Sequence, residues 1–383
     1  MRKKVLFIAI ILGFSMAINA QKSRVISATQ LIETEKYEDA KEAIELAVWN
    51  DKTSRWPRTY YIKGLLCQTA FEAGFEKNDS KKTNLYPDQL YVAYESYEKA
   101  MELDARFKLH SVIETQYYGL ANSFQKTGQR HYLNKEYSSA LKAFEHALLV
   151  SKSPLLSVEV DTNLVYNTAL AAYESRNWNK AINYLTGLDE DTYSPDITML
   201  LQHAYFEAGD TIAGEEVLVE GIEKYDYQKD IVLKLVDIYV TTERWDKALT
   251  LMDEAINVKP EDFYFPWTRG LLYQSRKNYK QAISDLTRAS ELAPLEVNIL
   301  YSLGICHYNT GVEITELARN ASNNTDYMAA RQQAISAFQE AVTWFEKAYE
   351  IDPGHQPTIS KLYQLYHRLE MTDKQDSIEM LIR

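Results

Sequence analysis

A spacing of 34 residues constrains this chain more than any other feature. Val236, Tyr239, Trp245, Ala248, Met252, Ala255 and Pro260 recur one period later as Gly270, Tyr273, Tyr279, Ala282, Leu286, Ala289 and Pro294. Trp245 to Tyr279, Ala248 to Ala282, Ala255 to Ala289 and Pro260 to Pro294 are each 34 residues apart. A fixed period of this size implies stacked helix pairs, none of which buries its apolar face alone. Small residues let the two helices of a pair approach closely, bulky ones fill the space between pairs, and proline ends the second helix. Stacked pairs expose a long grooved surface, which suits binding better than chemistry.

The second half of the motif recurs along the chain. An aromatic or apolar residue is followed by Ala at +3, a bulky apolar at +7 and usually Ala at +10. It reads Tyr37/Ala40/Ile44/Ala47, Leu90/Ala93/Tyr97/Ala100, Tyr137/Ala140/Phe144/Ala147, Trp178/Ala181/Leu185/Leu188 and Phe338/Ala341/Phe345/Ala348, besides the two copies above. This spacing lies on one helical face. A degenerate copy between Thr211 and Gly221 is aligned on Ala213 and Val217.

The pattern resembles the tetratricopeptide repeat (TPR). The resemblance implies an all-α fold: a right-handed α-solenoid of roughly eight TPR-like helical hairpins with extended helix pairs. Gln356 to Arg383, with Ile359, Leu362, Leu365, Leu369, Ile378, Leu381 and Ile382, reads as a C-terminal capping helix pair. Insertions fall near residues 76–90, 125–136 and 312–333, each between the two helices of a hairpin. The first reads as a polar loop around Glu76 to Pro87, the second as an extension of both helices, and the third as two lengthened helices with an Asn-rich tip at Asn320 to Asn324.

Residues 1–20 read as a secretory signal peptide: Arg2, Lys3 and Lys4, an apolar run from Val5 to Phe14, and small residues up to Ala20. Residues 21–383 then form a single solenoid. Export to the periplasm or cell envelope is the expectation, with no membrane span after cleavage. The leader, the Tyr- and Asn-rich composition and the Ala-Gln junction resemble exported TPR proteins of the Bacteroidetes. In that group Asp-Ser/Thr before an apolar residue marks O-glycosylation, which would place sugars on Thr211 and Ser377.

The formal net charge is −12, so nucleic acid and anionic lipid are disfavoured as partners. Cys67 and Cys306 are read as buried small residues. The seven His are scattered, no Cys-x-x-Cys or His-Glu-x-x-His occurs, and no glycine-rich phosphate loop is present. No enzyme, metal or cofactor is expected.

In TPR proteins the first helix of each hairpin lines the concave surface. Carried onto this chain, the groove positions hold Tyr61, Tyr166, Tyr173, Tyr205, Trp267, Tyr301 and Tyr308. Aromatic rings offer large, rigid contact area, and their polar tips bond to a ligand. The Lys and Asn set with which some TPRs grip acidic C-terminal tails is absent from adjacent repeats. The expectation is a non-enzymatic scaffold or adaptor for a protein or peptide in an envelope or secretion assembly, with homo-oligomerisation compatible. The alternative is an outer-surface glycan-binding protein on a TPR scaffold, in which the rings would stack on sugars.

Overall fold

The structure is a computed structural model that describes residues 22–157, 159–188, 194–379 and 381. The signal-peptide reading, Ile382 and Arg383 lie outside the described residues. Among those described, every regular element is a helix. The chain divides into two compact units, one ending at Asp210 and the other running from Thr211.

The first unit contains α1 (22–33), α2 (Tyr37–Val48), α3 (Pro57–Lys77), α4 (Ser80–Thr83), α5 (Gln89–Leu103), α6 (His110–Leu133), α7 (Tyr137–Ser151), α8 (Thr162–Glu174), α9 (Trp178–Thr186) and α10 (Pro195–Glu207). The second contains α11 (Thr211–Lys224), α12 (Lys229–Thr241), α13 (Trp245–Val258), α14 (Tyr264–Ser275), α15 (Tyr279–Leu292), α16 (Val297–Ala318), α17 (Asn324–Ile351), α18 (Gln356–Arg368) and α19 (Thr372–Glu379). Within each unit, helices adjacent in sequence pack on one another, with α3 pairing to α5 across the short α4. The described residues therefore form TPR-like helical hairpins, and the recurring Ala and bulky positions are the buried ones.

Six hairpin turns share one construction. The residue two places before the second helix is left-handed: Glu35, Lys135, Arg176, Glu243, Lys277 and Glu370. The next N–H then reaches back to a carbonyl five residues earlier, as in Lys36 to Leu31 (2.8 Å), Arg244 to Tyr239 (2.7 Å) and Asn278 to Tyr273 (2.8 Å). This satisfies an otherwise orphaned helix-end carbonyl.

Three sequence readings need correction. In α11 the buried positions are Gly214, Leu218 and Gly221, one residue beyond the Ala213 and Val217 alignment, and Ile222 next to them. Counted from Thr211, Gly214, Leu218 and Gly221 are the usual +3, +7 and +10, with glycine in place of alanine. The first insertion is only partly a polar loop. α3 continues to Lys77, and Leu85 and Tyr86 are buried. Gln89 holds this segment: its amide donates to the carbonyls of Cys67 (2.8 Å) and Lys82 (2.9 Å), and its oxygen accepts from the Tyr86 N–H (3.1 Å). The second insertion lengthens α6 alone, because α7 starts at its usual place, Tyr137. The third does give two long helices, α16 and α17, joined at 319–323.

Both cysteines are free and fully buried, and burial pushes each thiol up to about 12. The reactive thiolate is thus scarce and shielded near neutral pH. A thiol reagent such as Ellman's at pH 8 is expected to titrate neither Cys67 nor Cys306 in the folded protein, and both after denaturation in urea. Rapid native labelling of either would contradict the packing described.

Candidate functional site

The lengthened α6 creates a site that standard hairpin geometry would lack. Gly128 allows its extra turns to lie against α7: a Cβ there would sit 2.6 Å from Cδ1 of Phe144. Beyond it, Gln129, Tyr132 and Leu133 line a cavity of about 300 Å³ together with Phe144, Asn167 and Leu170. Phe144, almost completely buried, is the fixed apolar element of this cavity. Tyr132 is braced by the Tyr137 ring, 5.3 Å away and edge-on. Leu133, by contrast, is 82% exposed. The cavity and this leucine together present an apolar surface open to solvent.

Chemically, the cavity offers apolar surface with two carboxamides, Gln129 and Asn167. Burial, and then the Glu174 carboxylate, push the Tyr132 hydroxyl up, so it stays a neutral donor and acceptor. This composition suits an apolar side chain with flanking amide hydrogen bonds. Among the described residues no cluster of His, Cys, Asp or Glu could hold a metal ion, and no helix is long and apolar enough to cross a membrane.

All seven aromatic groove positions are half-buried. In the first unit Tyr61 on α3 packs near the Tyr97 ring (6.1 Å). Tyr166 and Tyr173 lie on α8 with Leu170 between them, so α8 brings this pair to the cavity's flank. The Tyr173 hydroxyl lies 2.9 Å from Nδ1 of His203 on α10, the helix that carries Tyr205. In the second unit Trp267 packs against a core containing Leu286, Leu303 and Cys306. Its indole nitrogen is buried without a partner among the described residues. Tyr301 lies between Phe345 (5.5 Å) and His355 (5.3 Å). Tyr308 sits on Phe338 (5.7 Å) with the Lys361 ammonium 4.4 Å from its ring centre. Tyr61, Tyr173, Trp267, Tyr301 and Tyr308 thus each have a packing or hydrogen-bond partner within their own unit. Sequence reasoning missed Tyr132, Leu133 and Leu170. The signal was present: an insertion rich in helix formers after Gly128, ending in Tyr-Leu.

The O-glycosylation candidates Thr211 and Ser377 are both exposed but sit in helices, at the start of α11 and within α19. The Ser377 hydroxyl donates to the Lys374 carbonyl at 2.6 Å.

No family model matches the chain. It is similar to the mouse Superkiller complex protein 3, with 22% identity over 274 residues, 68% of this chain and 17% of that protein. It is also similar to Tetratricopeptide repeat protein 37 of Xenopus laevis, with 20% identity over 359 residues, 88% of this chain and 22% of that protein. The chain thus spans about a fifth of the length of these relatives. Among solved structures, a TPR repeats protein from Bacteroides fragilis matches at 18% identity and a TM-score of 0.35, covering 65% of this chain and 98% of its own. The C-terminal part of a TPR repeat-containing protein from Cytophaga hutchinsonii matches at 14% identity and a TM-score of 0.46, covering 67% and 93%.

Proposed function

We propose that this chain is a non-enzymatic adaptor that holds a protein partner by an apolar side chain seated between α6 and α8. The observation that carries this reading is the open apolar cavity over Phe144 with Leu133 exposed beside it. A partner's Leu, Met or Phe would bury Leu133, Tyr132 and Leu170 at once, and Gln129 and Asn167 would satisfy the partner's backbone. Anchors of this kind dominate interface energetics. The basic and apolar start of the sequence supports an exported, envelope-associated location, and the TPR-like fold supports a scaffolding role.

The test is crosslinking capture from the native source with tagged wild-type and Leu133→Asp chains. Because Leu133 is exposed, the substitution should change stability by no more than about 0.5 kcal/mol. Capture of a stoichiometric protein partner should fall by about thirtyfold, the equivalent of about 2 kcal/mol. Undiminished capture would remove the cavity from the binding surface. Retention of polysaccharide with no stoichiometric protein would favour the glycan reading instead.

A further inference from the structure

The second unit carries another groove, built from different helices. One depression of about 390 Å³ is lined from α11 to α13 by Val219, Ile222, Leu235 and Leu251 and by Tyr227 and Tyr239. A second, of about 380 Å³, is lined by Ile212, Glu215, Glu216, Glu220 and Arg244 and meets the first at Val219. Along α11, Ile212, Glu216, Val219 and Glu223 follow the i, i+4, i+7, i+11 spacing of one helical face. Ile212 is 72% exposed and Val219 44%, so the apolar members of this stripe are open.

The charge of the walls is one-sided. Glu216, Glu220 and Glu223 are exposed and make no ion pair among the described residues; the α13 side adds Glu254, which accepts from the Tyr227 hydroxyl at 3.4 Å, and Asp246, which pairs with Arg276 at 3.5 Å. Two cations line the groove, and one of them, Arg244, is paired with a carboxylate. Arg244 forks onto Glu215 at 2.8 and 2.7 Å and lies 4.7 Å from the Tyr239 ring centre, and the Lys247 ammonium sits 5.5 Å from the same ring. Along α11, apolar Ile212 and Val219 thus alternate with Glu216, Glu220 and Glu223, which have no opposing charge among the described residues, in a groove walled by α11 and α13.

We infer that this groove is a docking surface for a lysine- or arginine-rich amphipathic helix of a partner protein. Apolar side chains one heptad apart would cover Ile212 and Val219, a separation of about 10 Å along a helix. The flanking cations would meet Glu216, Glu220 and Glu223, a pairing that sets specificity and speeds encounter. The inference is independent of the α6–α8 cavity, and either surface can fail without the other.

The probe is a labelled helical peptide of about 18 residues with Leu in a single stripe and Lys elsewhere, titrated against the whole chain by fluorescence anisotropy. Two companion peptides are needed: one of the same composition with the Leu positions scrambled, and one with the same stripe and Glu in place of Lys. The expected result is saturable binding of the first, at least tenfold tighter than either companion and weakened by salt. Glu216→Lys, Glu220→Lys and Glu223→Lys together should weaken it at least tenfold, and so should Val219→Asp. The same charge change on α16 and α17, at exposed Glu313, Glu316 and Glu340, should leave it near wild type. Circular dichroism confirms that each variant is folded. Equal binding of the scrambled peptide, or equal loss in the α16–α17 control, would reduce the effect to bulk charge and overturn the proposal. Self-association of the whole chain that the α11 variants abolish would assign the groove to a second copy and overturn it as well.

Discussion

Phe345→Ala lowers the stability of the second unit by about 4 kcal/mol, read from urea unfolding and from hydrogen exchange of α16 and α17. The Phe345 ring is fully buried, in one cluster with Ala341, Leu362 and Leu365, so α17 and α18 both pack around it. On α16 the ring fills the space left by a missing side chain: a Cβ on Gly304 would lie 2.5 Å from Cε1 of Phe345. Truncation therefore loses the transfer energy of the ring and leaves a cavity that helical backbones cannot collapse. The converse change is diagnostic. Gly304→Ala adds about 1 kcal/mol of helix propensity, yet the crowding should exceed that gain and leave the protein less stable. Gly304→Leu combined with Phe345→Ala should recover part of the loss, since bulk is moved across the interface. A stabilised Gly304→Ala protein would show that the contact is loose and that α16 is limited by propensity instead.

The same pair shows why so much of this fold was legible in sequence. A small residue on a first helix opposite a bulky one on the second is a volume constraint, and it repeats as Gly270 with Leu286 and Gly64 with Tyr97. Such constraints leave a period that can be read directly. The hairpin turns left little trace. Glu35, Lys135, Arg176, Glu243, Lys277 and Glu370 are left-handed without being glycine, because the hydrogen bonds that close each turn offset a strain of about 1 kcal/mol. In α11 the small positions are Gly214 and Gly221, which a search for alanine passes over, and the alignment slipped to Ala213 as a result. The cavity beside α6 was hidden for another reason. It depends on which of two helices an insertion lengthens, and helix-forming residues on both sides of a turn leave that choice to tertiary packing. The aromatic groove positions were assigned by repeat register. Register fixes a residue's helical face, while the neighbouring hairpin decides how far its ring is covered.

Arg269→Ala should cost the second unit about 3 kcal/mol, although its side chain reaches the surface and no ligand is involved. Arg269 on α14 donates from Nε and Nη2 to the two oxygens of Asp285 on α15, at 2.8 and 2.6 Å, and from Nη1 to Asp253 on α13 at 2.5 Å. Asp285 is only 8% exposed. One guanidinium thus fixes three consecutive helices in register next to Gly270, where a Cβ would lie 2.8 Å from Cγ of Leu286 on α15. Deleting it leaves the Asp285 carboxylate buried with no opposing charge, and that penalty, more than the lost attraction, sets the size of the effect. Arg269→Lys should recover little of the loss, because an ammonium cannot span both carboxylates in the planar fork. Arg269→Leu with Asp285→Leu should restore most of it, because an apolar pair removes the buried charge altogether. Exposed ion pairs elsewhere, such as Lys99 with Glu102, should contribute well under 1 kcal/mol each and vanish in high salt, whereas the Arg269 effect should persist there. If Arg269→Ala costs no more than those pairs, the fork is decoration on an apolar stack, and the register of α13 to α15 is set by the small and bulky positions alone.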